Sequence, residues 1–279
     1  MEVMQRVDER IKRLRNVIEK LGSVVVAYSG GVDSTLLLKV CLDTLGRENV
    51  LAVTAVSPLY PVEEVETART LAEELGAKHL LIETEEMNDE RFIKNTPQRC
   101  YYCKLELFTK LLAIAKAHGL RFVVDGSNAD DASDYRPGMQ AGCELGVISP
   151  LKEANLRKAD IRELSRMLGL PTWNKPTMAC LASRFPYYYE ITKEELRMVA
   201  EGERFLRGIG LTQVRLRHHG YLARIEILPN EFSLLMADGV REMVVERLRS
   251  IGYIWVTLDL RGYQSGSFNE MLLKGKAET

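Results

Sequence analysis

Apolar residues recur along this chain in two alternating rhythms. Between residues 5 and 21, Val7, Ile11, Leu14, Val17 and Leu21 fall at helical spacing with charges between them, which predicts an amphipathic opening helix. Short β-branched runs then appear at 23–28, 50–56, 79–82 and 121–124, and the intervening stretches 34–46, 61–76 and 104–118 keep the longer helical period. Strands alternating with helices predict a mostly parallel sheet covered on both faces, an α/β architecture whose ligands sit at the carboxyl ends of the strands.

After Pro150 the rhythm changes. Residues 157–169 read as one more helix, and the stretch TWNKPTMACLASRFPYYY has no period, two prolines before its final tyrosines and the character of a loop. Beyond it, 192–207 and 239–250 read as helices, 213–218 and 222–228 as a hairpin around His219 and Gly220, and 253–259 as a strand. These predict a smaller C-terminal α+β domain over 171–279, following an α/β domain over 1–170. The last residues, 274–279, are expected to fray.

Composition fits that picture: 46% of the 279 residues are apolar and 28% charged, which excludes a disordered or fibrous chain. With 38 Lys and Arg against 39 Asp and Glu, the net charge is −1, so no global field draws the chain to nucleic acid or anionic lipid. The longest apolar runs, such as Val24–Ala27, fall far short of the roughly 20 residues of a membrane helix. The opening segment carries charges throughout and has no signal core. A cytoplasmic location without membrane or nucleic-acid partners is the expectation.

The sharpest local signal is Ser29-Gly30-Gly31-Val32-Asp33-Ser34-Thr35, directly between a strand and an apolar helix. Glycines let the backbone approach an anion, and a helix N-terminus offers unpaired N–H groups and a positive dipole end. No Lys follows the glycines, so this is not the GxxxxGK[ST] loop; Asp33 stands where a metal-held pyrophosphate needs a carboxylate. A second loop, Asp125-Gly126-Ser127-Asn128-Ala129-Asp130-Asp131, follows the fourth strand and offers glycine, an amide and carboxylates, with Asp134 and Arg136 just beyond. The bland alternatives are a capped helix for the first loop and a solvated Asx turn for the second.

Five cysteines, an odd number, occur in a chain too large to need disulfide staples, which favours thiols or ligands. Cys100-Tyr-Tyr-Cys103 opens a helix and suits a cluster, a zinc half-site or a redox dithiol, the bland alternative being two unrelated buried cysteines. Cys180, next to Ser183 and Arg184, is a candidate nucleophile or third ligand. Three thiols without an evident fourth ligand suit a [4Fe-4S] cluster with one open iron. Cys41 reads as core and Cys143 has no assigned role.

The SGGVDS string resembles the signature of the PP-loop ATP pyrophosphatases, a resemblance that implies ATP, magnesium and an adenine nucleotide alpha hydrolase-like fold. It extends to Ala55-Val56-Ser57, where that superfamily binds adenine, and to the DGSNADD loop. Together with RCYYCK at 99–104, PTMACLASR at 176–184 and VRLRH at 214–218, the ensemble is similar to the LarE family of ATP-dependent sulfur transferases over nearly the whole chain. The resemblance implies adenylation of a carboxylate of pyridinium-3,5-biscarboxylic acid mononucleotide, a small nucleotide substrate, and its conversion to a thiocarboxylate for a nickel-pincer cofactor. It also implies homo-oligomers.

In sacrificial members a cysteine surrenders its sulfur, and Cys180 matches that region. The additional Cys100 and Cys103 resemble the three-cysteine branch, which implies a [4Fe-4S] cluster and an external sulfide donor. Arg184, Arg215 and Arg217 are candidate anion ligands, the last two on one strand face; the alternative for that pair is an exposed hairpin face. Glu203 and Glu226 are weaker candidates for proton transfer or metal contact; the alternative for each is a solvated side chain. A tRNA-thiolating enzyme is the competing reading, supported by Arg204, Arg207, Arg215, Arg217 and Arg224, and tight salt-sensitive tRNA binding would favour it. A non-enzymatic nucleotide-binding module is the other.

Overall fold

The structure, a computed structural model, describes residues 2–133, 137–176, 179–264 and 266–274. Asp134, Arg136 and the tail beyond residue 274 lie outside the described residues. In chain order the first elements are α1 (Glu2–Glu19), β1 (Val24–Ala27), α2 (Val32–Leu45), β2 (Val50–Val56), α3 (Val62–Glu74), β3 (Lys78–Glu83), α4 (Glu90–Ile93), α5 (Arg99–Ala117) and β4 (Phe122–Val124). Then follow α6 (Pro137–Glu144), α7 (Pro150–Glu153), α8 (Lys158–Met167), α9 (Lys193–Gly208), β5 (Arg215–His219), β6 (Leu222–Glu226), α10 (Phe232–Leu235), α11 (Val240–Ile251), β7 (Trp255–Leu258) and α12 (Glu270–Lys274).

Contacts divide the chain into two units: Met1–Glu86 with Gln98–Met178, and Met87–Pro97 with Ala179–Thr279. The first is α/β, as the alternating pattern predicted. Its sheet has the order β3-β2-β1-β4, with every pair parallel and Val24 opposite both Val50 and Phe122. Successive residues of β1 face opposite sides: Val24 and Val26 join a core with Leu14, Leu37 and Leu164, while Val25 packs with Leu107, Phe108 and Leu111 of α5. Burial of both faces explains the continuous Val24-Val25-Val26 run, which a half-exposed strand would not carry.

After β3 the chain returns to the far side of β1 to form β4, so strand order reverses between β1 and β4. That reversal opens a crevice at the carboxyl ends of the two strands. The two loops singled out in the sequence follow these strands.

The second unit is α+β. β5 and β6 form the antiparallel hairpin, and β7 adds to β6 in parallel. Its core joins Leu206 of α9 and Leu248 of α11 with Leu216, Ile225 and Tyr253. The segment 87–97 belongs here because the buried Asn95 donates from Nδ2 to the carbonyl of Pro186 (2.7 Å), while its own carbonyl accepts from the Tyr188 amide (3.0 Å) and that of Ile93 from the Ile191 amide (3.0 Å). No periodicity marks such an excursion, so a single cut near residue 170 could not anticipate it.

Candidate functional site

In the first unit the SGGVDS residues form the β1–α2 turn. Gly30 has φ +65°, and a Cβ there would lie 2.8 Å from Cβ of Ala68 in α3, so both backbone and packing demand glycine. Gly31 caps α2 without a side chain, leaving the first-turn N–H groups, including those of Val32, Asp33 and Ser34, to solvent or ligand. Val32 itself is buried and contributes its backbone. Ser34 Oγ braces the turn: it accepts from the Ser29 amide (3.3 Å), lies 3.1 Å from Ser29 Oγ and donates to the Gly31 carbonyl (3.3 Å).

The second loop meets this turn. A Cβ on Gly126 would stand 3.2 Å from the Ser34 nitrogen and 3.3 Å from Asp33 Cβ, so glycine lets the two loops lie close. Asn128 Nδ2 donates to Asp33 Oδ1 at 3.2 Å, and Asp131 Oδ2 accepts from the Asn128 amide at 2.9 Å, which fixes the Asn128 backbone. Asp125 accepts from the hydroxyls of Ser127 and Ser149, both at 2.7 Å. The Asx-turn reading therefore describes Asp125 and Asn128, whose side-chain oxygens accept from the Ser127 (3.3 Å) and Asp130 (3.0 Å) amides, and the Asn128 side-chain nitrogen also reaches the phosphate turn. Ser57 is not brought in: its hydroxyl accepts from the Leu59 amide at 3.1 Å and shapes the turn after β2.

Two cations that the sequence reading missed stand at the same turn. Lys158, the first residue of α8, pairs with Asp33, and Lys175 pairs with Glu64 (2.7 Å) and donates to the Gly30 carbonyl (3.2 Å). They lie 125 and 145 residues from their loop partners, beyond any local motif. Beside the turn, a cleft of about 520 Å³ open to solvent is lined by Tyr28, Ser29, Val53, Thr54, Ala55, Tyr60, Lys104 and Leu107, among others. Its mainly apolar lining at the ends of β1 and β2 suits a heterocyclic base.

In the second unit the centre is Arg184, which is fully buried. Its Nε and one Nη donate to the two oxygens of Glu203 (2.7 and 2.9 Å); the other Nη donates to the carbonyls of Ala179 (2.7 Å) and Cys180 (3.1 Å) and to Ser183 Oγ (2.9 Å). Arg184 is thus occupied in holding the Cys180 loop. Arg217 joins that loop from β5, donating to the Ser183 carbonyl (2.8 Å) and to Glu226 (2.7 Å).

The solvated alternative for Glu203 and Glu226 is overturned: both are buried counter-ions, which a lone Glu in a helix or strand does not announce. Burial opposes ionisation of Glu203, but Arg184, Arg215 and Arg207 outweigh it and hold its pKa below the ordinary carboxylate value. Arg215 and Arg217 are likewise buried, so the hairpin face they occupy is not solvent-exposed. Burial first, and then the charge of Arg184, lower the Arg215 pKa to about 10. Arg217 also keeps one buried N–H, at Nε, without an acceptor. Arg184, Arg207, Arg215, Arg217 and Arg224 stand against Glu203, Glu226 and Asp259, an excess of positive charge suited to an anion.

Close by, His218 is enclosed between Tyr253 Oη (3.1 Å from Nδ1), Tyr189 Oη (3.2 Å from Nε2) and Phe185, with Glu195 3.3 Å from Nε2. Burial lowers its pKa more than Glu195 raises it, and burial is also the first cause of the lowered values of His79 and His219. A histidine kept neutral by the fold but free to protonate when unfolded adds stability above about pH 6.5, lost as pH falls through the folded value. The urea midpoint should therefore fall between about pH 6.5 and 5, and His218→Gln should flatten that fall; an unchanged slope refutes the assignment.

Cys100 and Cys103 lie in the first turn of α5 and are half-buried, as is Cys180; Cys41 is buried and Cys143 exposed. Burial raises the Cys41 thiol pKa well above its ordinary range, in keeping with core. Among the described residues, no three His, Cys, Asp or Glu side chains are grouped to hold a metal ion.

A family model described as NAD synthase matches residues 6–100, the stretch containing the phosphate turn. A protein described as pyridinium-3,5-bisthiocarboxylic acid mononucleotide synthase, from Lactiplantibacillus plantarum, is 41% identical over 94% of this chain and 94% of its own length. This chain belongs to the LarE-type sulfur transferases. An uncharacterized Synechocystis protein is 45% identical over 96% of this chain and 99% of its own. An NH(3)-dependent NAD(+) synthetase of Methanococcus aeolicus is 30% identical over 59% of this chain and 68% of its own. A LarE-type chain is an ATP-dependent sulfurtransferase of the PP-loop superfamily, and its first unit is the PP-loop domain. No described helix is long and apolar enough to cross a membrane.

Proposed function

We propose that this enzyme uses ATP to adenylate a carboxylate of pyridinium-3,5-biscarboxylic acid mononucleotide and replaces the activated oxygen with sulfur. The observation that carries the reading is the buried guanidinium excess built onto the Cys180 loop. Arg184 and Arg217 bind that loop directly, and Arg215 and Arg217 supply charge for the phosphate or carboxylate of an anionic nucleotide.

In the first step a substrate carboxylate oxygen attacks the α-phosphorus of ATP. A new P–O bond forms, the α–β P–O bond breaks, and pyrophosphate leaves with the electron pair. The α2 N-terminus binds the departing phosphates through its N–H groups, Lys158 and Lys175 add charge, and the Tyr28–Leu107 cleft takes the base. Magnesium fits the donors at this turn: Asp33 is a part-exposed hard oxygen ligand, to be joined by phosphate oxygens. When bound it supplies charge neutralisation of the leaving pyrophosphate.

In the second step a sulfur nucleophile attacks the acyl carbon, a C–S bond forms, and AMP leaves with the electrons of the acyl C–O bond. Cys100, Cys103 and Cys180 are the residues that would hold a [4Fe-4S] cluster; three soft thiols are the kind of donor it takes. When bound, the cluster supplies an inorganic sulfide from a sulfide donor, sparing the cysteine sulfur.

Two measurements test the reading. Pyrophosphate release should require the pyridinium nucleotide; well-bound ATP without release would instead describe a binding module. Anaerobically prepared protein should contain iron and sulfide, lost in Cys100→Ala, Cys103→Ala and Cys180→Ala. A polypeptide mass lower by the equivalent of one hydrogen sulfide after turnover, located at Cys180, would replace the cluster route with sacrifice.

A further inference from the structure

We infer that Phe268 is the residue on which the ring of the substrate stacks, and that it selects a cationic ring. The inference rests on the reading of the second unit as the site of an anionic pyridinium nucleotide, and deepens it by naming what sets that nucleotide apart from other anions.

An excess of guanidinium charge recognises negative charge alone, and ATP would satisfy it as well as the substrate does. The pyridinium nucleotide differs in carrying a positive charge on a flat ring, with a carboxylate on either side. A site that reads this ligand needs an aromatic face for the ring and donors spaced for the two carboxylates.

Both stand together on the hairpin. Arg217 and Arg224 are opposite partners in the β5–β6 ladder, so their side chains rise from one face of the sheet with Cβ atoms about 5 Å apart, the same order as the spacing of two carboxylates placed meta on a six-membered ring. Phe268 lies against both: the Arg217 and Arg224 guanidinium carbons are 5.0 and 5.5 Å from its ring centre. Its place is fixed on either side by Ser267, whose hydroxyl donates to Glu226 (3.1 Å), and by Asn269, whose side-chain oxygen accepts from Tyr187 Oη (2.9 Å). The ring itself is only half-buried. Arg217 and Arg224 each keep a buried Nε–H without an acceptor among the described residues, and a carboxylate oxygen satisfies such a donor. Each carboxylate then offsets one guanidinium, and the charge of the ring falls to Phe268. Arg217 also donates to the Ser183 carbonyl, so the carboxylate it binds lies beside the Cys180 loop, where sulfur is delivered.

Calorimetric titration of the full-length protein, with magnesium and α,β-methylene-ATP present, compares two ligands. One is pyridinium-3,5-biscarboxylic acid mononucleotide; the other is its 1,4-dihydropyridine form, which keeps both carboxylates and the phosphate and loses the ring charge. Phe268→Leu should bind the pyridinium nucleotide about tenfold more weakly than wild type and the dihydropyridine within about twofold of it, and Phe268→Trp should keep the wild-type affinity for both. Equal losses for the two ligands in Phe268→Leu, or no loss for either, overturn the role of Phe268. A wild type that binds neither ligand overturns the reading of the second unit as the substrate site, and the inference with it.

Discussion

Asp33→Ala should lower substrate-dependent pyrophosphate release by about 10³-fold while leaving the fold intact. Asp33 stands at the start of α2, beside the N–H groups that receive the phosphates, and accepts from Asn128 and Lys158. Two effects combine on its removal. The hard carboxylate that would hold magnesium against the leaving pyrophosphate is gone, and Lys158, released from its partner, binds the triphosphate of ATP as readily as the departing pyrophosphate. Interactions shared by ground and transition states do not accelerate a step. The loss should therefore appear in kcat, with the KM for ATP nearly unchanged. Asp33→Asn keeps the shape and one acceptor for Asn128 but not the charge, and should be nearly as inactive. A thermal melt matching the wild type excludes unfolding as the cause. Normal pyrophosphate release by either variant would show that Asp33 has no part in the adenylation.

How much of this was legible in the sequence depended on the range of each interaction. β1, α2 and the turn between them are local: a β-branched run, two glycines and an apolar helix occupy consecutive residues, so the parallel α/β sheet and the phosphate turn could be read directly. The C-terminal hairpin was legible for the same reason. Lys158 and Lys175 were not, because a lysine in a helix start or loop resembles any solvated lysine until the fold sets it against Asp33 or Gly30. Glu203 and Glu226 show the same gap in sharper form. Each sits in an amphipathic element where a charged residue is ordinarily exposed, and only the convergence of Arg184, Arg217 and their neighbours makes burial tolerable. A short apolar-containing stretch such as 87–97 gives no sign of which core it will join, and Asn95 declares its partners only in three dimensions. The family signal in MACLASR located the Cys180 loop, and the charge argument made Arg184 an anion ligand, whereas the structure spends its donors on Glu203 and the loop itself.

Glu203→Gln should destabilise the second unit by about 3–5 kcal/mol, because it leaves a buried guanidinium without its counter-ion. Arg184 and Glu203 are both fully buried and meet in a two-pronged contact, and Glu203 also accepts from Arg207 (3.1 Å) and from the Leu216 amide (3.1 Å). A glutamine matches one oxygen of this arrangement and turns an amide nitrogen toward donors. The loss is large against the ~5–15 kcal/mol that holds a typical domain. The chain has two tryptophans, Trp173 in the first unit and Trp255 in the second, so urea unfolding followed by Trp255 fluorescence in a Trp173→Phe background isolates the relevant transition. The midpoint should fall markedly in Glu203→Gln and in Arg184→Met. In Arg184→Met/Glu203→Leu it should recover only in part, since the apolar pair removes two desolvated charges but leaves the buried Arg215 and the Leu216 amide without Glu203. Activity should not follow stability. The double variant still lacks the guanidinium that donates to the carbonyls of Ala179 and Cys180 and to Ser183 Oγ, so sulfur transfer should stay low, while pyrophosphate release, carried out at the phosphate turn of the first unit, should fall much less. Recovery of sulfur transfer in the double variant would reduce Arg184 to a packing element and remove its role in holding the Cys180 loop.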